Sequence, residues 1–227
     1  MIQAVFFDLY ETLITEWEDN KKKAAYSVEE LGLDFEIYKK EWTARREMRM
    51  DGTFSTHQSV LEDILSSQGI TADETVIKEI HTRRVQSKLA PFKDIDDEIV
   101  IVLKQLRMLN IKVGLISNCA PEEVHGWRTS RLADLFDDVV FSYRAGCAKP
   151  SPEIYHTACD NLGVHPSESL FVGDGGSDEL WGASKVGMKA YQAAWYHNAD
   201  IAGFPKLKRP EEILEIVRSS AISMNKQ

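Results

Sequence analysis

The apolar and polar positions change period along the chain, and each change predicts an element. Val5-Phe6-Phe7 is a short apolar run that stops at Asp8 and leads into Leu9-Tyr10-Glu11-Thr12-Leu13. So short and apolar a run predicts a buried strand ending on a carboxylate. From about Thr15 to Leu89 the spacing is helical. Ala24, Ala25, Val28 and Leu31 predict a helix over 21–31. Phe35, Tyr38, Trp42 and Met48 predict one over 35–50. Val60, Leu61, Ile64 and Leu65 predict one over 56–67, and Val76, Ile80 and Val85 one over 75–89. Gly32, Asp51-Gly52 and Gly69 punctuate them. Ala90-Pro91-Phe92 reads as the return to the first strand's domain.

Beyond Asp96, helix and strand alternate. Helices are predicted over 97–109, within 121–132, and over 153–162, 178–186 and 211–218. Strands are predicted over 112–117, 138–142, 169–173 and 188–194. Alternation of this kind implies right-handed crossovers and a parallel sheet. The expected fold is therefore α/β: a Rossmann-like parallel-sheet core, residues 1–14 and 91–227, with an all-helical cap, residues 15–90, inserted after the first strand.

Composition narrows the function. The chain has 227 residues, 43% of them hydrophobic, enough for a sizeable core. A net charge of -9 argues against nucleic-acid or membrane surfaces as partners and leaves room for a small anionic substrate held by a local field. Cys119, Cys147 and Cys159 are odd in number and scattered, without zinc spacing or a disulfide framework, which suits a reducing cytoplasm. The N-terminus carries no basic region of a signal peptide, and no apolar run nears the ~18 residues of a membrane span.

Four predicted strand ends carry polar groups. The first offers Asp8 and Thr12, the second Ser117-Asn118. Lys149-Pro150 follows the third, and the fourth opens into Gly173-Asp174-Gly175-Gly176-Ser177-Asp178. In a parallel sheet these ends share one edge, where ligands bind. The set comprises a carboxylate nucleophile, hydroxyl donors, a cation, and acids able to hold a hard metal.

This order and spacing resembles the haloacid dehalogenase superfamily of hydrolases over nearly the whole chain. The Asp8 to Thr12 loop looks like the family's first motif, Ser117 its second, Lys149 its third, and Asp174 with Asp178 its fourth. The resemblance implies an Asp8 nucleophile, Thr12 and Ser117 as donors to the transferring group, Lys149 as charge stabiliser, and Asp178 as a water-mediated metal ligand or an orienter of Lys149. Tyr10, Ser117, Asn118 and Lys149 would touch substrate. Mg²⁺ would be held by Asp8, Asp174 and the backbone carbonyl of Tyr10.

One position departs from the pattern. Phosphatases of this family carry a second Asp two residues after the nucleophile, as general acid and base, and here Tyr10 stands there. A Tyr at that place is similar to the 2-haloacid dehalogenase branch, which needs no metal and lacks the acidic pair that this chain keeps. The leading reading is Mg²⁺-dependent hydrolysis of a small phosphorylated metabolite through an aspartyl-phosphate. The alternatives are metal-independent 2-haloacid dehalogenation and a catalytically weakened, ligand-binding member. Other residues have blander readings: Glu11 solvated or paired with a base, Cys119 a small buried hydrophobe, and the Arg45, Arg46 and Arg49 cluster a solvated cap face, the alternative being that one of the three reaches down to an anionic substrate.

Overall fold

The computed structural model describes residues 1–71, 73–197 and 200–222. Six parallel strands form the main sheet: β1 (Ala4–Phe7), β4 (Lys112–Ser117), β5 (Asp138–Phe141), β6 (Ser169–Gly173), β7 (Lys189–Ala193) and β8 (Lys206–Leu207), in the order β5-β4-β1-β6-β7-β8. The chain therefore builds outward from β1 in both directions. β1 is the switch point, and the crevice beyond its carboxyl end is where such a sheet receives a ligand.

β1 shows why the sheet is buried on both faces. Val5 and Phe7 join one apolar cluster with Leu103 and Val113, while Ala4 and Phe6 join the other with Ile154 and Phe171. Successive side chains point to opposite faces of a strand, so a strand covered on both sides must be apolar throughout. On β4, Gly114 is required because a Cβ there would collide with the Phe6 ring. Helices α5 (Asp97–Met108) and α9 (Glu212–Ile222) pack together and supply one face, and α7 (Pro152–Leu162) and α8 (Glu179–Lys185) supply the other.

The intervening stretch is helical for the most part. α1 (Phe35–Ala44), α3 (His57–Ser67) and α4 (Glu74–Lys93) enclose a separate apolar cluster that includes Leu61, Ile64, Ile77 and Ile80, and the short α2 (Arg46–Met50) follows α1. Thr56 caps α3, its hydroxyl accepting from the Ser59 amide at 3.1 Å. The remaining short helix, α6 (Ser142–Ala145), follows β5 directly.

Four expectations are corrected. Residues 21–31 are not a helix. Two-residue strands β2 (Trp17–Glu18) and β3 (Lys21–Lys22) form a hairpin, followed by a single 3₁₀ turn at Glu29–Leu31. Asp19 and Asn20 both adopt φ near +50 to +60°, the left-handed pair a tight hairpin needs, and Asp and Asn tolerate it better than most residues. The helix expected over 35–50 breaks at Arg45. Residues 121–132 hold short 3₁₀ turns instead of an α-helix, and Val124, Trp127 and Leu132 from these turns all reach the same core cluster. The helix expected over 75–89 runs on through Pro91, as α4 continues to Lys93. A proline within the last turn removes only one of the helix's hydrogen bonds.

Candidate active site

Asp8 leaves β1 with its backbone amide bonded to the Val172 carbonyl at 2.9 Å, which fixes the loop to the end of β6. Its Oδ1 accepts from Lys149 Nζ at 2.5 Å. The same ammonium donates to the carboxylate of Glu179, and both partners of that ion pair are buried. Lys149 itself is placed by Asn118. The Asn118 Oδ1 accepts from the Lys149 amide at 2.7 Å, and its Nδ2 donates to the Lys149 carbonyl at 2.8 Å. An asparagine spanning both backbone groups of one residue holds that residue rigidly, so Asn118 acts on Lys149 in this arrangement.

Glu179, which the sequence reading did not include, takes the place expected of Asp178. The loop after β6 passes through Gly175 (φ +100°), Ser177 (φ +56°) and Asp178 (φ +52°). This left-handed path leaves Asp178 exposed and turns Glu179, the first residue of α8, inward. Gly173 makes room, since a Cβ there would collide with the Glu179 carboxylate. Glu179 Oε1 also accepts from the Gly175 amide at 3.1 Å.

Donor atoms of Asp8, Asp174 and Glu179 lie within 4.8 Å of one another, a set of hard oxygens that suits a divalent cation. Burial pushes the Asp8 carboxyl above its ordinary range, against the opposing pull of Lys149. Burial and the Asp8 charge push Glu179 up to about 8, with Lys149 again opposing. Burial also works against the Lys149 charge, but Asp8 and Glu179 outweigh it and hold the ammonium above its usual range. In the loop after β1 and at the end of β4, the hydroxyls of Thr12 and Ser117 are buried and have no hydrogen-bond partner among the described residues. Unpaired buried hydroxyls are costly, so two of them at the carboxyl edge of the sheet are donors left free for a ligand.

Tyr10 faces elsewhere. Its hydroxyl donates to the Glu123 carbonyl at 2.5 Å, and its ring packs against the core. Burial, then the charges of Glu123 and Glu16, raise the phenol well above its ordinary value. Glu11 sits at φ +57° and pairs with a base as expected, accepting from His197 Nε2 at 2.8 Å and from the Thr15 hydroxyl at 2.6 Å. Cys119 is fully buried among apolar neighbours.

A cleft of about 430 Å³ opens beside the cluster, with Asn118, Lys149, Ser151 and Asp178 on one side and Arg46, Glu47, Met50 and Asp51 of the helical stretch on the other. Of the arginines at 45, 46 and 49, Arg46 alone lines this cleft, and it reaches across, its Nη2 donating to the Ser177 hydroxyl at 2.7 Å. Arg45 instead pairs with Glu41 and Asp63, and Arg49 stacks on Trp42 at 3.9 Å.

The sequence profile of the haloacid dehalogenase-like hydrolases matches residues 2–187. The chain belongs to this family. The hydrolase is 27% identical, over 97% of its length and 99% of the other's, to the glyceraldehyde 3-phosphate phosphatase of Methanopyrus kandleri. It is 29% identical to the pyrophosphatase PpaX of Bacillus cereus, over 63% of its own length and 71% of that protein's. The fold matches the crystal structure of a 2-haloacid dehalogenase from Pseudomonas syringae, with a TM-score of 0.70, 22% identity, and coverage of 96% of this chain and 99% of that one. It also matches a HAD phosphatase from Thermococcus onnurineus, with a TM-score of 0.65, 19% identity, and coverage of 95% and 98%. Among the described residues no helix is long and apolar enough to cross a membrane.

Proposed function

We propose that this hydrolase cleaves a small phosphorylated metabolite through an aspartyl-phosphate on Asp8. The carboxylate cluster of Asp8, Asp174 and Glu179 carries the reading. A site for a halogenated acid has no use for three clustered carboxylates, whereas a phosphoryl site can share them with a divalent cation. The named phosphatase and pyrophosphatase relatives support the same choice.

The residues divide the work as follows. An Asp8 oxygen forms a bond to phosphorus while the bond from phosphorus to the leaving oxygen breaks. Thr12 and Ser117, whose hydroxyls have no other partner, donate to the phosphoryl oxygens. Lys149 holds Asp8 in place and keeps positive charge beside the nucleophile. Glu179 orients Lys149, and Asn118 fixes its backbone. The carboxylates fit Mg²⁺, which when bound would offset the charge of nucleophile and phosphoryl group; the Tyr10 backbone carbonyl is a further ligand in this reading. Water then attacks the phosphorus of the aspartyl-phosphate and regenerates Asp8. Residues 15–90 act as a cap over residues 1–14 and 91–227, and cap closure on the Arg46 side excludes bulk water.

The test is turnover of a phosphate-ester panel with and without Mg²⁺, by wild type and Asp8→Asn. Mg²⁺-dependent release of phosphate by the wild type and none by the variant is expected. Halide release from a short 2-haloacid that persists in EDTA, with no phosphate released from any ester, would replace this reading with dehalogenation.

A further inference from the structure

The three residues that follow Ser117 are each tied to a different part of the molecule. Asn118 bonds both backbone groups of Lys149. The Cys119 amide donates to the Ser142 hydroxyl at 3.0 Å. The Ala120 amide donates to Glu123 Oε2 at 2.9 Å. The last tie alone is ordinary, because a glutamate at the third place of a helical turn commonly reaches back to the amide that opens it. The other oxygen of Glu123 is not ordinary. The residue is 9% exposed, and its Oε1 accepts from Arg84 Nη2 at 2.9 Å and lies 3.5 Å from Lys88 Nζ, both cations standing on α4. Lys88 is anchored in turn by Glu16 at 2.7 Å, and Arg84 by Glu122 at 2.7 Å.

We propose that Glu123 is a positioning residue through which α4 sets Lys149. Arg84 and Lys88 hold the carboxylate, the carboxylate holds Ala120, and the loop so fixed keeps Asn118 on the backbone of Lys149, whose ammonium holds Asp8. The proposal rests on the phosphatase reading for what Lys149 does, and goes beyond it in giving the helical stretch a grip on the reacting groups. Packing alone does not call for these charges. Apolar side chains of similar volume would hold α4 against the turn as well, since the desolvation of buried ions offsets most of their attraction. They could not accept from the Ala120 amide, and a buried amide without an acceptor is costly. The carboxylate serves both sides at once. One oxygen faces the loop and the other faces α4, so the seat of α4 dictates where Ala120 lies. Asn118 stands two residues before it and makes two short bonds to Lys149, at 2.7 and 2.8 Å, which a small shift of the loop would lengthen. A misplacement on the order of 1 Å can cost about 10²-fold in rate.

The experiment compares the full-length wild type with Glu123→Gln, Asn118→Ala and the double variant. Glu123→Gln keeps the size but offers one acceptor where two are needed. The first readout is the NMR shift of the Lys149 amide, taken without substrate. In Glu123→Gln its proton should move upfield, as for a lengthened hydrogen bond, while the amides of β1 stay in place; a loss of stability alone moves neither. The second is turnover of p-nitrophenyl phosphate in Mg²⁺. Glu123→Gln should lower kcat about 10- to 100-fold with KM within about threefold of wild type. In the Asn118→Ala background the same substitution should cost less than about threefold, because its route to Lys149 is already cut. Should Glu123→Gln fail to fold, Lys88→Met, which withdraws one of the two cations, is read in the same way. An unmoved Lys149 amide in the folded variant, or an equal loss of kcat in both backgrounds, overturns the proposal. A wild type without phosphatase activity would overturn the phosphatase reading instead, and the amide shift would then decide alone whether Glu123 sets Lys149.

Discussion

Replacing Tyr10 tests how the leaving group gets its proton. The phenol donates to the Glu123 carbonyl at 2.5 Å and is raised well above its ordinary value by burial and by the charges of Glu123 and Glu16. It is thus a weak acid and turned away from the reaction. A positioned general acid contributes about 10² to 10⁴-fold, or roughly 2.7 to 5.4 kcal/mol of barrier. The wild type should therefore be slow on alkyl phosphates, whose leaving alkoxides are strongly basic. It should be faster on acetyl phosphate or p-nitrophenyl phosphate, whose leaving groups depart as stable anions. Tyr10→Phe removes the hydroxyl alone. It should leave kcat within about threefold of wild type and cost about 1 to 3 kcal/mol of stability, because the Glu123 carbonyl loses its donor. Tyr10→Asp should raise kcat/KM on an alkyl phosphate more than on an aryl one, although it also opens a gap beside the core. The assay is kcat/KM for the three proteins on one alkyl and one aryl substrate, alongside urea unfolding. A tenfold or larger fall in kcat for Tyr10→Phe would mean that the phenol takes part in the reaction. Fast alkyl hydrolysis by wild type, unaffected by Tyr10→Asp, would mean that another residue supplies the proton.

Other perturbations probe the surrounding charges. Thr12→Val and Ser117→Ala each remove a hydroxyl with no partner, so thermal melts should shift little or rise while kcat falls about 10²-fold; a large drop in melting temperature would show the hydroxyl to be structural. Lys149→Met leaves Asp8 and Glu179 without their cation, which raises both carboxyl pKa values, so the variant should be destabilised more at pH 8 than at pH 5 in urea unfolding. Glu123 is disfavoured as an anion by burial, but Lys88 and Arg84 outweigh this and hold it down at about 2 against an ordinary 4.5. A depressed folded value gives stability that is full above about pH 4.5 and drains as pH falls toward 2, here about 3 kcal/mol. Arg84→Gln removes only part of that pull, Lys88 being the larger, but it also leaves Glu122 buried without its cation, so it should cost about 3 kcal/mol or more at pH 7 and visibly less at pH 3, and an equal cost at both would assign the effect to packing.

The strand ends were legible because a buried parallel strand is an unbroken apolar run, and the first polar residue after it falls on the ligand edge. Asp8, Ser117 and Asp174 stand out this way, whereas Lys149 lies eight residues beyond the end of β5 and stood out only through the order of the motifs. Glu179 was missed because the path from Asp174 runs through left-handed residues, and counting along a loop does not say which acid turns inward. The hairpin at 17–22 was missed for a different reason. It is exposed, two residues per strand, and leaves no apolar periodicity to read. Arg84 and its partners Glu122 and Glu123 lie 38 and 39 residues apart, and only the packing of α4 on the turn after β4 brings them together.

The charge around Asp8 supports the proposed phosphoryl transfer over dehalogenation more strongly than Tyr10 opposes it. Three carboxylates face a single ammonium at the end of β1. Lys149 neutralises one of them, and burial makes the remaining negative charge expensive, which is why Glu179 rises to about 8. A 2-haloacid would bring a carboxylate of its own into this field, with nothing in the cluster to offset it. A phosphoryl group would bring more negative charge still, but it would arrive in a site whose oxygens can hold a divalent cation, and such a cation would balance the carboxylate charge that Lys149 leaves over. The same balance bears on the nucleophile. Asp8 must be ionised to attack, and burial opposes ionisation, so Lys149 and a cation together would keep it anionic. Tyr10 costs this site its general acid and leaves the charge logic of phosphoryl transfer intact.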